Sequence, residues 1–140
     1  MSRTIYLAGA SAEVDMCESY MRLLRDAGYT VAHDWPAGIR QAALDGYAAN
    51  PRNAPEEKRH AWAIDDMVGV KECSTFWMLI PEKPTIGAWV ELGGALAWTH
   101  RDRIERTIVS GDWRVSIFTS LADYRFDSHA EAFAHLTGAK

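Results

Sequence analysis

The sequence predicts an α/β domain built on a mainly parallel sheet of four or five strands, and three observations lead there. Apolar strand-like runs alternate with segments of helical spacing, and most of the turns between them are short. The run Ser74-Thr75-Phe76-Trp77-Met78-Leu79-Ile80 shows no polar alternation, as expected of a strand covered on both faces. Strand-helix-strand units of this kind close as right-handed crossovers, which puts helices on both sides of a parallel sheet. At 140 residues and 48% hydrophobic content, the chain is long enough for one core and too short for two, so a single domain over 1–140 is expected.

The elements follow in order. Thr4-Ile5-Tyr6-Leu7-Ala8 is a β-rich run that stops at Gly9, and Ala12 to Ala27 then carries apolar residues at helical spacing through Val14, Cys17, Tyr20, Met21 and Leu24. Ser11 is placed to cap that helix, and Gly28 stands where a left-handed residue ends one. Tyr29 to Trp35 reads as the second strand. Pro36, Gly38, Asn50, Pro51 and Pro55 punctuate a long connection with one short helix near Gln41 to Tyr47, the kind of insertion that covers a site. Glu56 to Glu72 is helical, Ser74 to Ile80 is the buried strand, and Ala88 to Trp98 is helical after Gly87. Arg106 to Val109 and Val115 to Thr119 are the remaining strand candidates, and Ser128 to Leu136 is the last helix.

Composition removes several functions. Fifteen Lys and Arg against nineteen Asp and Glu leave a net charge of −4, a poor field for a nucleic-acid polymer. No apolar run approaches the roughly 20 residues of a membrane span, and the start is unlike a signal peptide, so no membrane partner and a cytoplasmic location are expected. Cys17 and Cys73 sit inside apolar stretches and read as reduced core thiols. His33, His60, His100, His129 and His135 have no metal spacing, and neither a metal nor a cofactor is expected. A nucleophile elbow and a phosphate loop of the G-x-x-x-x-G-K type are both missing from the sequence.

In a parallel sheet, ligands gather beyond the carboxyl ends of the strands, here the turns after Leu7, Trp35 and Ile80. Gly9-Ala10-Ser11 brings a helix N-terminus to the first turn, which suits either an electron-rich ligand group or tight packing with Ser11 as cap. After the third strand, Gly87-Ala88-Trp89-Val90-Glu91-Leu92-Gly93-Gly94-Ala95 sets one carboxylate among apolar residues near a helix start, where the helix dipole favours its ionised form. Two adjacent glycines inside a helix cost roughly 1 kcal/mol each against alanine, which points to close packing there. Asp65 and Asp66 lie among Trp62, Ile64, Met67, Val68 and Val70, so at least one of them faces a cleft. Trp35, Trp62 and Trp89 are candidates to stack on a planar ligand.

Taken in this order, three segments resemble the nucleoside 2-deoxyribosyltransferases, whose members read roughly I-Y-L-A-G, then D-L-x-x-I, then D-x-G-T-x-x-E-L-G-x-A. Tyr6-Leu7-Ala8-Gly9 matches the first, Asp66-Met67-Val68-Gly69-Val70 the second and Gly87 to Ala95 the third, so the likeness covers about two thirds of the chain. The resemblance implies a flavodoxin-like three-layer fold and cleavage of a nucleoside N-glycosidic bond. It implies Glu91 as nucleophile, Tyr6 as the hydroxyl that orients it, and Asp66 rather than Asp65 as the acid near base and sugar. Gly9, Ser11, Thr85, Gly87, Trp35 and Trp62 are then the expected substrate contacts, a nucleoside or nucleotide and an acceptor base the small-molecule partners. Family members assemble so that a neighbour completes each pocket, which implies a homo-oligomer here, with Trp113, Tyr124, Phe126 and Phe133 as aromatic candidates for interface or core.

Thr85 stands where the transferases carry a sugar-contacting aspartate, Ala88 where they carry threonine, and Ser74 where an aspartate is common. The related deoxynucleoside 5′-monophosphate N-glycosidases are similar in having a small hydroxyl residue at the position of Thr85, which leaves hydrolysis open beside transfer. A non-catalytic nucleotide-binding domain is the alternative from another class.

Overall fold

The computed structural model describes residues 3–47, 53–99 and 104–138. Five strands, β1 (Thr4–Ala8), β2 (Thr30–Val31), β3 (Thr75–Leu79), β4 (Arg106–Ser110) and β5 (Tyr124–Phe126), form one sheet in the order β2-β1-β3-β4-β5, with every pairing parallel. This order and the helices on both faces make the fold a flavodoxin-like three-layer domain. The chain reverses its direction of travel across the sheet between β1 and β3, so a crevice is expected above their carboxyl ends. Asn50, Pro51 and His100 lie outside the described residues.

Register divides the strand side chains between the two faces. Leu7 pairs with Trp77 and Trp77 with Ile108; Tyr6 pairs with Phe76 and Phe76 with Thr107. The Leu7 face meets α1 (Val14–Asp26) and α5 (His129–Thr137), because Tyr20 of α1 packs edge-on to Trp77 and also against Phe133 of α5. On that face Trp77 Nε1 donates to Ser110 Oγ at 2.8 Å, and Ser110 Oγ lies 2.7 Å from His129 Nδ1, so these three polar atoms are paired. The Tyr6 face meets α3 (Glu56–Glu72) and α4 (Gly87–Thr99), which touch each other where Gly94 faces Met67. A Cβ on Gly94 would stand 2.8 Å from Met67 Cε, whereas one on Gly93 would meet nothing within 4 Å; close packing holds at only the second glycine.

Three expectations change. The second strand is two residues long, and Trp35 opens a helix, α2 (Trp35–Leu44), in place of ending a strand; the short helix expected at Gln41 to Tyr47 is this one, set earlier. Asp34 caps it by accepting the Ala37 N–H at 3.2 Å, and Pro36 occupies the first turn, where a missing N–H costs nothing. Val115 to Thr119 is not a strand but part of two 3₁₀ turns, Trp113–Val115 and Ile117–Leu121. Ser116 accepts the Phe118 N–H, while the Thr119 hydroxyl donates to the Ser116 and Trp113 carbonyls, a local pairing that competes with a ladder. The fifth strand forms from Tyr124-Arg125-Phe126 instead, with Trp113, Phe126 and Phe133 packed against the core and Tyr124 left exposed. Finally, Ser11 does not cap: it begins a 3₁₀ turn, Ser11–Glu13, and neither that turn nor α1 has a side-chain N-cap bond.

Cys17 and Cys73 are free, buried thiols, and burial pushes both up to about 12. Among the described residues no helix is long and apolar enough to cross a membrane.

Candidate active site

Tyr6 reaches the site from the middle of β1. Strand alternation points it toward α3 and α4, and its ring lies parallel to that of Phe76, centroids 5.8 Å apart, with no exposed surface. Glu91 arrives from α4, on the inward stripe it shares with Ala88, Leu92 and Ala95. The Tyr6 hydroxyl donates to Glu91 Oε2 at 2.6 Å, a short and buried bond.

Burial dominates the electrostatics of this pair. Glu91 is 8% exposed, and desolvation pushes its carboxyl up to about 8; the Tyr6 hydroxyl acts in the opposite sense, and the charge of Asp66 adds to the rise. This corrects the expectation of a dipole-favoured anion, because α4 begins at Gly87 and Glu91 falls in its second turn, beyond the reach of the helix end. The Tyr6 phenol is held far above its ordinary value by burial and then by Glu91, so it stays protonated and remains a donor. Asp66, on α3, also moves upward, chiefly by desolvation, with His33 opposing through an ion pair of 3.1 Å.

A cavity of about 400 Å³ opens beside these groups at the carboxyl edge of β1, β2 and β3, within the size range of small-ligand pockets. Gly9 and Ser11 line it after β1; His33 and Trp35 after β2; Thr85, Gly87 and Glu91 after β3. Trp62, Asp65 and Asp66 close it from α3. The cavity thus gathers the expected substrate contacts Gly9, Ser11, Thr85, Gly87, Trp35 and Trp62 with Asp66 and Glu91, whereas Trp89 packs against the core and Tyr6 lies behind Glu91. Both aspartates reach the lining, but only Asp66 is partly buried; Asp65 is exposed.

Local packing explains several positions. A Cβ on Gly9 would stand 2.5 Å from Cys17 Sγ, so glycine is required there for tight strand-helix packing. Trp35 Nε1 donates to the Leu7 carbonyl at 2.8 Å, which fixes the indole as a wall with its own N–H satisfied. Tyr47 meets Trp62 edge to face, centroids 6.3 Å apart, and adds an aromatic rim. The sequence reading missed His33, Gly38, Ile39, Ala42 and Tyr47 in this lining. His33 had a usable signal, being just after the second strand on the ligand side of the sheet; the others depend on how α2 folds back.

Among the described residues the lining holds three carboxyl groups, one histidine and no lysine or arginine, so it suits a ligand that develops positive charge. Fold and cavity together define a flavodoxin-like α/β domain whose pocket at the sheet's switch point is built around a buried tyrosine-glutamate pair and an aspartate-histidine pair. In comparisons with family models, curated proteins and solved structures, nothing matches this chain.

Proposed function

We propose that this protein breaks the N-glycosidic bond of a deoxynucleoside, with Glu91 as the attacking carboxylate and transfer of the 2-deoxyribosyl group to an acceptor base as the outcome. The observation that carries this reading is the Tyr6 bond to Glu91 at 2.6 Å beside a cavity that also receives Asp66. One glutamate oxygen is anchored by the phenol, which leaves the other as the nucleophilic atom. As the C1′–N bond breaks, its electron pair leaves with the base, which takes a proton from Asp66, and Glu91 forms the new bond to C1′. The positive charge that builds on the sugar meets a lining of carboxylates, and the flanking Trp35 and Trp62 offer apolar surface to a planar base.

The glycosyl-enzyme is consumed by whichever nucleophile arrives first, as in retaining glycosidases. An acceptor base gives transfer, and water gives hydrolysis by the same residues. Thr85 in the lining supports some tolerance of a 5′-phosphate, since a hydroxyl there brings no repulsion, but the lack of a lysine or arginine in the described lining favours neutral nucleosides. The test is a panel of deoxynucleosides and their 5′-monophosphates, each with and without an acceptor base, resolved by chromatography. Base exchange is expected. Free base without exchange would assign a hydrolase, and ligand binding with no turnover across the panel would leave a binding domain.

A further inference from the structure

The amino edge of the sheet, opposite the candidate active site, carries a second cavity of about 700 Å³. Every strand contributes to it: Tyr29 just before β2, Arg3 just before β1, Thr75 on β3, Arg106 on β4 and Tyr124 on β5. Strand alternation sorts the charges. Thr75 pairs with Ile5 and with Arg106, and Ile108 with Tyr124, so Arg3, Thr75, Arg106 and Tyr124 fall on the sheet face that carries Leu7. Glu105 and Asp123, one residue before β4 and β5, fall on the other face. The two guanidinium groups converge on Tyr29. Arg3 lies over its ring, 4.5 Å from the centroid, while Arg106 Nη2 donates to its hydroxyl at 3.0 Å and Arg106 Nε to Thr75 Oγ1 at 3.1 Å. The Tyr29 hydroxyl donates its own proton to the Leu136 carbonyl at 2.7 Å, which fixes it as an acceptor for Arg106.

These contacts hold both guanidinium groups in place without neutralising them. Among the described residues neither arginine makes an ion pair. Of the two acids in the lining, Asp123 accepts the Thr107 N–H at 2.8 Å and Glu105 stands exposed. His135 senses the uncompensated charge: burial and then Arg106 push it below its ordinary value. Its ring backs Tyr124, centroids 4.3 Å apart, and Tyr124 itself is 42% exposed. An arginine fixed through Nε and one Nη to neutral hydroxyls has already lost its mobility, and its remaining N–H groups are preorganised for an oxygen anion. We propose that this cavity binds a small oxyanion, a phosphate or carboxylate group, between Arg3 and Arg106, with the body of the ligand against the Tyr124 ring. The site is separate from the one that holds Glu91, and it does not rest on the function proposed above.

Titration of the full chain at low ionic strength with inorganic phosphate, phenyl phosphate and benzoate tests this, followed by NMR at the Arg106 Nε–H and the Thr75 amide. Inorganic phosphate is expected to bind in the millimolar range, and phenyl phosphate more tightly because its ring gains Tyr124. Benzoate beside phenyl phosphate tells whether the site takes both oxyanions or favours phosphate. Arg3→Gln changes an exposed side chain, so it is expected to keep the fold by circular dichroism and to weaken phosphate about tenfold. Arg106→Lys keeps the charge and loses the planar fork, and is expected to weaken all three probes. Glu105→Gln is expected to leave binding unchanged or slightly stronger. No shift with any probe, shifts confined to the turn at Gly9 and Ser11, or an Arg3→Gln protein that binds phosphate like the wild type overturns the proposal.

Discussion

Gly69 of α3 lies against the ring of Tyr6: a Cβ at this glycine would stand 2.9 Å from Tyr6 Cε2 and 2.8 Å from His33 Cβ. One residue without a side chain thus sets the seat of the phenol that holds Glu91 and the backbone position of the histidine that pairs with Asp66. Gly69→Ala gains helix propensity of about 1 kcal/mol, but the Tyr6 ring is clamped on Phe76 and cannot yield, so overpacking of roughly 1–3 kcal/mol outweighs the gain. Urea unfolding is expected to show net destabilisation. Gly38→Ala, in α2 with no atom within 4 Å, is expected to be neutral or stabilising in the same assay.

Replacing Glu91 separates activity from stability. Glu91→Gln removes the attacking carboxylate, and turnover should fall by at least about two orders of magnitude. Its effect on stability depends on pH. The folded carboxyl holds its proton up to about 8 against an ordinary 4.5, so the folded state binds that proton more tightly than the unfolded chain. The resulting stabilisation is complete below the ordinary value and is lost as pH rises toward 8. The neutral amide escapes that loss, which amounts to on the order of 5 kcal/mol once Glu91 is ionised. Melting curves should show Glu91→Gln close to wild type in mild acid and clearly more stable above pH 8; a constant difference across the range would refute the buried-charge account.

The pH profile of kcat/KM reports the same pair. Nucleophile and acid must share one proton between Glu91 and Asp66, so activity is lost when the last proton leaves, and the alkaline limb is expected near 8. A limb in the ordinary carboxylate range would exclude Glu91 from the pair.

Tyr6→Phe keeps the ring and removes the donor. Because the phenol holds the Glu91 carboxyl down, its loss should move the alkaline limb to higher pH while lowering kcat modestly and leaving KM nearly unchanged. A lowered kcat with an unmoved limb would mark the hydroxyl as structural.

Thr85 borders the same cavity as three carboxyl groups, so Thr85→Asp adds a fourth carboxyl group to the lining. If a 5′-phosphate is accepted past this residue, the substitution should lower kcat/KM for a monophosphate far more than for its nucleoside. The ratio of the two, measured in wild type and variant, is insensitive to general damage. An unchanged ratio would place the phosphate elsewhere.

What the sequence determined by itself was whatever depends on local pattern. The unbroken apolar run from Ser74 to Ile80, the helix from Glu56 to Glu72 and the reach of the inward stripe through Glu91 are periodicities, and these elements appear where the pattern places them, within a residue. The switch-point rule likewise points to the turns that follow Leu7, Trp35 and Ile80, and residues near these turns line the cavity. Tertiary structure decided the rest. Trp35 could join a strand or open a helix by its own composition; the Asp34 cap is a local helix signal that the pattern reading passed over, and the indole bond to Leu7 is the tertiary part. Val115 to Thr119 is rich in β-branched and aromatic residues like a strand, yet hydroxyl-carbonyl bonds hold it in 3₁₀ turns, and Tyr124 to Phe126 completes the sheet against β4. The charge state of Glu91 is the deepest example: nothing in its neighbours along the chain raises its proton affinity, because desolvation is a property of the packed interior, and its partner Tyr6 lies 85 residues away in sequence.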